Sequence, residues 1–249
     1  MFYLFIILIG LSVGSFFNVV IFRFNTGKSA AKGRSKCLNC HSIIRWFDLI
    51  PIFSYFILRG RCRKCNIKIS PLYPVVELTT ATALFLFFFN ASLVSYSTVI
   101  NAFIILILIL IIFIDIRYLI ISDKILVLLA VTAIGLKLLA YNTDFYRLLI
   151  SAFGLTSFFA ILYIVSKGRW IGLGDIKLIF IIGFLLGYPM GYLALVTAVW
   201  LAAMFSIALL LANKATAKTE IPFGSFLSIS TIIFITFNNE LQEISKYFI

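Results

Sequence analysis

Ser97-Thr98-Val99-Ile100-Asn101-Ala102-Phe103-Ile104-Ile105-Leu106-Ile107-Leu108-Ile109-Leu110-Ile111-Ile112-Phe113-Ile114-Asp115 is an apolar run that carries no charge until it ends on a carboxylate. A helix of this length and apolarity fits the hydrocarbon core of a bilayer, which takes about 17–25 residues. An acid at its end is costly beside lipid and is by default a candidate for function, with a partner nearby.

The rest of the chain repeats the pattern. It has 249 residues, 63% of them hydrophobic and 12% charged, with a mean hydropathy of +1.13. That excludes an ordinary soluble domain, which runs near ~25% charged. Apolar segments cover 2–22, 74–90, 97–114, 125–141, 146–166, 176–188, 189–212 and 222–238. The expected fold is therefore an all-α polytopic membrane protein with about eight transmembrane helices. Several segments are short and must tilt or borrow flanking residues. A turn is expected at Tyr188-Pro189-Met190-Gly191, since 176–212 is too long for one crossing. The segment 2–22 lacks a basic n-region and a small-residue cleavage site, so it reads as a spanning helix rather than a signal peptide. Its Gly10, Gly14 and Ser15 suit close helix contact, and Asn18 suits a hydrogen bond to a neighbouring helix.

The net charge of +12 could suggest nucleic acid, but its distribution argues against that partner. Eleven Lys and Arg lie in the polar stretch 23–72, and with the turns at 115–124, 167–177 and 213–221 the total on that side reaches 18. Only Lys137, Arg147 and Lys246 remain for the other side. Under the positive-inside rule the 23–72 loop faces the cytoplasm and both termini lie outside. Three regions follow: a first transmembrane helix over 1–22, the loop over 23–72, and a transmembrane bundle over 73–249.

The same topology places two acids at one membrane boundary. Asp115 ends one helix, and Asp175, in Trp170-Ile171-Gly172-Leu173-Gly174-Asp175-Ile176-Lys177, begins another. Gly172 and Gly174 leave room for another chain to approach. Two carboxylates held close cannot both ionise, so one keeps a proton while the other acts as general base on water. That is aspartic-peptidase chemistry, and it needs no nucleophilic Ser or Cys. The only histidine, His41, lies far off in sequence. Helix capping is the competing reading of Asp175, and more strongly of Asp123, which immediately precedes a helix. Asp48, Glu77 and Asp144 carry no pairing argument.

Cys37-Leu38-Asn39-Cys40 and Cys62-Arg63-Lys64-Cys65 are two Cys-x-x-Cys pairs separated by 21 residues, a spacing suited to tetrahedral structural zinc. Cys37 to His41 also reads as the attachment pattern of c-type haem, and four reduced thiols without metal, or redox-active pairs, are a third reading. Haem of that kind is attached outside the cytoplasm, against the expected topology.

Taken in order, these pieces resemble the prepilin peptidases, or type IV leader peptidases, membrane aspartic peptidases with a Gly-x-Gly-Asp motif. The resemblance rests on Gly14-Ser15-Phe16-Phe17-Asn18, Gly33-Arg34-Ser35-Lys36-Cys37 with Cys40, Trp46-Phe47-Asp48-Leu49-Ile50-Pro51, and Arg59-Gly60-Arg61-Cys62 with Cys65. It continues through Ser70-Pro71-Leu72-Tyr73-Pro74 with Glu77, Asp115, Gly172-Leu173-Gly174-Asp175, and Ile221-Pro222-Phe223-Gly224. It implies a bacterial inner-membrane endopeptidase that removes the basic leader of type IV prepilins and type II secretion pseudopilins at the cytoplasmic face. Asp115 and Asp175 would be the catalytic pair. Many members that keep the cysteine loop also methylate the new N-terminus with S-adenosylmethionine, although no Gly-x-Gly-x-x-Gly turn marks a donor site here. Two departures touch turn geometry: Ile121-Ser122-Asp123 stands where Ile-Pro-Asp is common, and Ser225 stands where proline is usual. A second class of function, a proton-coupled transporter with a regulatory zinc loop, stays open, although a relay should run to mid-membrane rather than sit at one face.

Overall fold

In the computed structural model the described residues are all except 27–32, 92–93, 141–143, 215, 217–218, 239 and 242–249. Lys28, Lys32, Lys218 and Lys246 of the charge tally therefore lie outside the described residues. The described chain is helical, with no strand and only two isolated β-bridges. It forms two compact units, Met1–Phe89 and Asn90–Ile249.

In the first unit, α1 (Phe2–Arg23) pairs with α3 (Leu72–Asn90), and the short α2 (Phe53–Ile57) lies in the polar stretch between them. The pair is antiparallel: Phe2 meets Phe88, Gly10 meets Ala81, Gly14 meets Glu77, and Phe22 stacks on Tyr73 at 4.3 Å. A Cβ on Gly10 or Gly14 would fall 2.6 or 2.7 Å from a backbone Cα of α3, so the two helices touch main chain to main chain. Small residues four apart make this approach possible. Asn18 donates to the Tyr73 carbonyl at 3.0 Å and to Glu77 Oε1 at 3.5 Å, the interhelical bond expected of it.

The second unit holds α4 (Tyr96–Tyr118), α5 (Asp123–Leu139), α6 (Phe145–Ser166), α7 (Leu173–Leu186), α8 (Met190–Leu211) and α9 (Phe223–Thr236). The opening stretch is α4. Ser95 caps it by accepting the Thr98 N–H, and Leu119 closes it in the left-handed region, donating its N–H to the Asp115 carbonyl at 2.8 Å. A helix apolar on every side belongs in a core. Accordingly Ile104, Ile105, Leu108, Ile111 and Ile114 of α4 are fully buried. Helices α5 and α9 pack on α4, and α7 touches α5, α6, α8 and α9.

Around this core the surface is apolar. Val131, Phe153, Trp200, Met204 and Leu211 are among the large side chains left exposed. A surface of this kind suits lipid and would be a liability in water. Among the described residues five helices, α1, α3, α4, α6 and α8, are long and apolar enough to cross a membrane. The other apolar helices are shorter: α5 has 17 residues, and α7 and α9 have 14 each. The expected break before α8 is present: Gly187 takes a positive φ of 70°, and a cis Tyr188-Pro189 bond leads into Met190.

Candidate active site

Asp115 sits in the last turn of α4 and Asp175 in the first turn of α7, 60 positions apart in sequence. The N-terminus of α9 brings them to one place. A Cβ on Gly224 would lie 3.1 Å from Asp115 Oδ2 and 3.2 Å from Asp175 Oδ1, so both carboxylates border the same point in space. A methyl group there would crowd both carboxylates, each of which would have to give by a few tenths of an ångström.

The first N–H groups of a helix have no partner inside it. At α9 they serve the two acids. Ser225 N–H donates to Asp115 Oδ2 at 2.7 Å, and the Gly224 N–H is directed at Asp175. Asp175 Oδ2 also accepts the Gly172 N–H at 3.3 Å, closing the start of its own helix. The capping reading of Asp175 is therefore correct as geometry, and the second carboxylate oxygen, Oδ1, borders the Gly224 point shared with Asp115 Oδ2. Asp115 itself is only 4% exposed.

The turn after α4 supplies the cover. Ile121 lies 3.1 Å from where a Gly174 Cβ would be and 2.6 Å from where a Gly224 Cβ would be. The room at Gly174 is thus taken by a neighbouring turn of this chain, while a Cβ on Gly172 would meet Asp175 Oδ2. Asp123 does not act through a cap. Its carboxylate pairs with Lys177 at 2.6 Å, tying the start of α5 to α7, and Ser122 makes no side-chain cap bond. Asp144 caps α6 by accepting the Arg147 N–H.

In the first unit the four cysteines converge. All four Sγ atoms lie within 4.8 Å of one another, and Cys37 and Cys65 are 3.8 Å apart. A tetrahedron with Zn–S bonds of ~2.3 Å has ligand-to-ligand edges of about 3.8 Å, so the cluster fits a four-thiolate zinc. The haem reading would leave Cys62 and Cys65 unexplained.

The two halves of the cluster are built alike. Cys37 N–H donates to the Ser42 carbonyl and Cys62 N–H to the Ile67 carbonyl; His41 N–H returns to Cys37 and Asn66 N–H to Cys62. His41 and Asn66 both have positive φ, at 52° and 56°. Isolated bridges Lys36–Ile43 and Arg61–Lys68 close each loop. Sequence reasoning passed over this repeat, whose signal is a residue tolerant of the left-handed region directly after each second cysteine. The turns favour the thiolate at Cys40 and Cys62, whereas at Cys37 the backbone donation from Cys40 is outweighed by burial and the neighbouring thiols, which raise it. The Ser42 hydroxyl, aided by backbone hydrogen bonding from the same residue, holds the Cys40 thiol down to about 6, and the Cys65 and Lys64 N–H groups lower Cys62. Arg63, between the second pair of cysteines, makes a bidentate bridge to Asp48 with its shortest contact at 2.7 Å.

Two acids without a pairing argument in the sequence thus have clear positions. Asp48 braces the cysteine loop, and Glu77, buried on α3, accepts the Ile52 N–H at 2.7 Å. Ile52 holds a φ of 62°, costly for a β-branched residue, so the Glu77 bond fixes a strained turn.

Comparison with known proteins matches two family models along the chain. Residues 8–91 match the bacterial peptidase A24 N-terminal domain, and residues 102–207 match the type IV leader peptidase family. A prepilin leader peptidase/N-methyltransferase of Bacillus subtilis (strain 168) is 28% identical over 228 residues, covering 90% of each chain. One from Legionella pneumophila is 29% identical over 263 residues, covering 93% of this chain and 90% of its own. A third, from Myxococcus xanthus (strain DK1622), is 44% identical over 85 residues, 34% of this chain and 25% of that protein. No solved structure matches the chain.

Proposed function

Because the chain belongs to the type IV leader peptidase family, we propose that it is a membrane aspartic endopeptidase that cuts the leader from type IV prepilins and type II secretion pseudopilins, with Asp115 and Asp175 as its catalytic pair. The observation that supports this most is the meeting of the two carboxylates at Gly224, each bordering the same point.

The chemistry follows from that arrangement. One carboxyl holds a proton while its ionised partner takes a proton from a water as that water attacks the scissile carbonyl. The protonated carboxyl hydrogen-bonds the developing oxyanion and then passes its proton to the leaving amine. Both Ser225 donors act on Asp115 Oδ2, the same oxygen that borders the Gly224 point together with Asp175 Oδ1.

The side of the membrane is part of the proposal. The split of Lys and Arg, 18 against 3, supports a cytoplasmic position for both acids and for the 23–72 loop, with both termini outside. A prepilin presents its leader at that face and its apolar helix in the bilayer. The eleven basic residues of the loop suit anionic headgroups rather than a basic leader. In this division the loop carries structural zinc on Cys37, Cys40, Cys62 and Cys65, and α4 to α9, which hold both acids, form the peptidase bundle.

We assign N-methylation from the two-part names of the relatives, with the new N-terminal amine as target and S-adenosylmethionine as donor taken from the resemblance to the family. The described residues hold no strand with a following glycine-rich turn, so no donor pocket is assigned and no step is derived through it.

The test is to incubate the purified chain, in vesicles, with a full-length prepilin and to identify the products by mass. The peptidase reading expects a free leader and a mature pilin starting just before its apolar segment. Proton flux across the vesicles with the prepilin left intact would instead favour the transporter. Gly224→Ala gives a sharper check, since its methyl would sit between the carboxylates. Displacing reacting groups by about 1 Å can cost ~10²-fold, and the shift needed here is a few tenths of an ångström, so cleavage should fall by about tenfold with membrane insertion unchanged.

A further inference from the structure

Ser225 is the third residue of α9 and only 2% exposed. Its N–H reaches Asp115 Oδ2 at 2.7 Å, and its hydroxyl lies 2.9 Å from the same oxygen. The hydroxyl also lies 3.1 Å from the Ile112 carbonyl oxygen, one turn earlier on α4. A proline at this position would offer neither donor. The departure from the family pattern at residue 225 thus supplies two hydrogen bonds to one carboxylate oxygen.

A hydroxyl has one hydrogen and here two acceptors within reach. From this geometry we infer that Ser225 is a positioning residue for the peptidase reaction: it pins Asp115 Oδ2 at the Gly224 point that Asp175 Oδ1 also borders, and its hydroxyl hydrogen swings between Asp115 and the Ile112 carbonyl as Oδ2 loses and regains its proton.

Each state is satisfied. With Asp115 ionised, the Ser225 O–H donates to Oδ2. With a proton on that oxygen, the carboxyl O–H donates to Ser225 Oγ, and the Ser225 hydrogen turns to Ile112. No heavy atom needs to move, so the carboxyl keeps one orientation through turnover. Buried acids that lose a partner are otherwise free to rotate, and misoriented reacting groups lower the rate of the chemical step rather than substrate affinity.

The inference rests on Asp115 being one of the reacting pair, and the experiment separates the two. Steady-state cleavage of a prepilin is measured for wild type, Ser225→Ala, Ser228→Ala and Asp115→Asn, with the thermal transition of each. Ser228 is fully buried on the same helix, and its hydroxyl has no partner among the described residues. A hydrogen bond to a charged group is typically worth enough to predict about a tenfold fall in kcat for Ser225→Ala, with KM within twofold of wild type. Ser228→Ala should keep wild-type kcat. If Ser225→Ala keeps kcat within twofold, changes KM instead, or is matched by Ser228→Ala, the role of Ser225 is overturned while an inactive Asp115→Asn leaves the peptidase reading standing. If Asp115→Asn cleaves at the wild-type rate, that reading falls and takes the inference with it.

Discussion

Purified in mild detergent without chelator, the chain should carry about one zinc per molecule, and Cys62→Ser should remove most of it. The size of the effect follows from what else holds the loop. None of the described residues from 33 to 71 is fully buried, so this stretch has no apolar core of its own. Structural zinc contributes roughly 10–16 kcal/mol in small zinc-finger peptides, more than a single ion-pair brace such as Arg63–Asp48, with its half-exposed Arg63, can supply. Strong chelation or Cys62→Ser should therefore open the loop to trypsin at its many Lys and Arg, while the apolar helices stay protected in the membrane. Metal content by emission spectroscopy and the tryptic fragments by mass provide the check. A zinc-free wild-type loop that resists trypsin would contradict a structural metal.

Asp115→Asn and Asp175→Asn should each lower leader cleavage by about 10³–10⁴, mostly in kcat. The exchange keeps size and the acceptor oxygen, so Ser225 can still donate to residue 115 and Gly172 to residue 175. What is lost is the proton chemistry. An amide can neither take a proton from water nor return one to the leaving amine, and its partner carboxyl then has no neighbour with which to share a proton. Equal amounts of membrane-inserted protein, with the thermal transition of each variant, separate this loss from misfolding.

Much of the fold was legible because in a bilayer apolarity itself marks the helix. Over the described residues all eight apolar segments are helices, displaced by a few residues at most, and residue 141 lies outside them. The ends moved where capping chemistry, rather than hydropathy, sets them. Helix α7 begins at Leu173 rather than 176, since Gly172 serves as its N-cap, and this puts Asp175 inside the first turn. Helix α4 runs past Asp115 to Tyr118, which turns that acid inward instead of leaving it at an end.

The two acids could be picked out from charge and topology, and their closeness could only be expected. Their meeting depends on α9, whose Ser225 is 110 positions from Asp115, and no local pattern encodes that contact. Glu77 escaped for a similar reason. Its partner is the backbone of Ile52, and a backbone donor leaves no mark on sequence. The cysteine repeat was within reach, since His41 and Asn66 follow the second cysteine of each pair.

The central claim is that Asp175 meets Asp115 to act on a peptide bond, and the initial rate of leader release tests it most directly. Wild type and Asp175→Asn, brought to equal amounts in the same membranes, are given one prepilin and followed by the appearance of the mature form. A rate for Asp175→Asn at least about 10³-fold below wild type is the predicted result. A rate within a few-fold of wild type would contradict it.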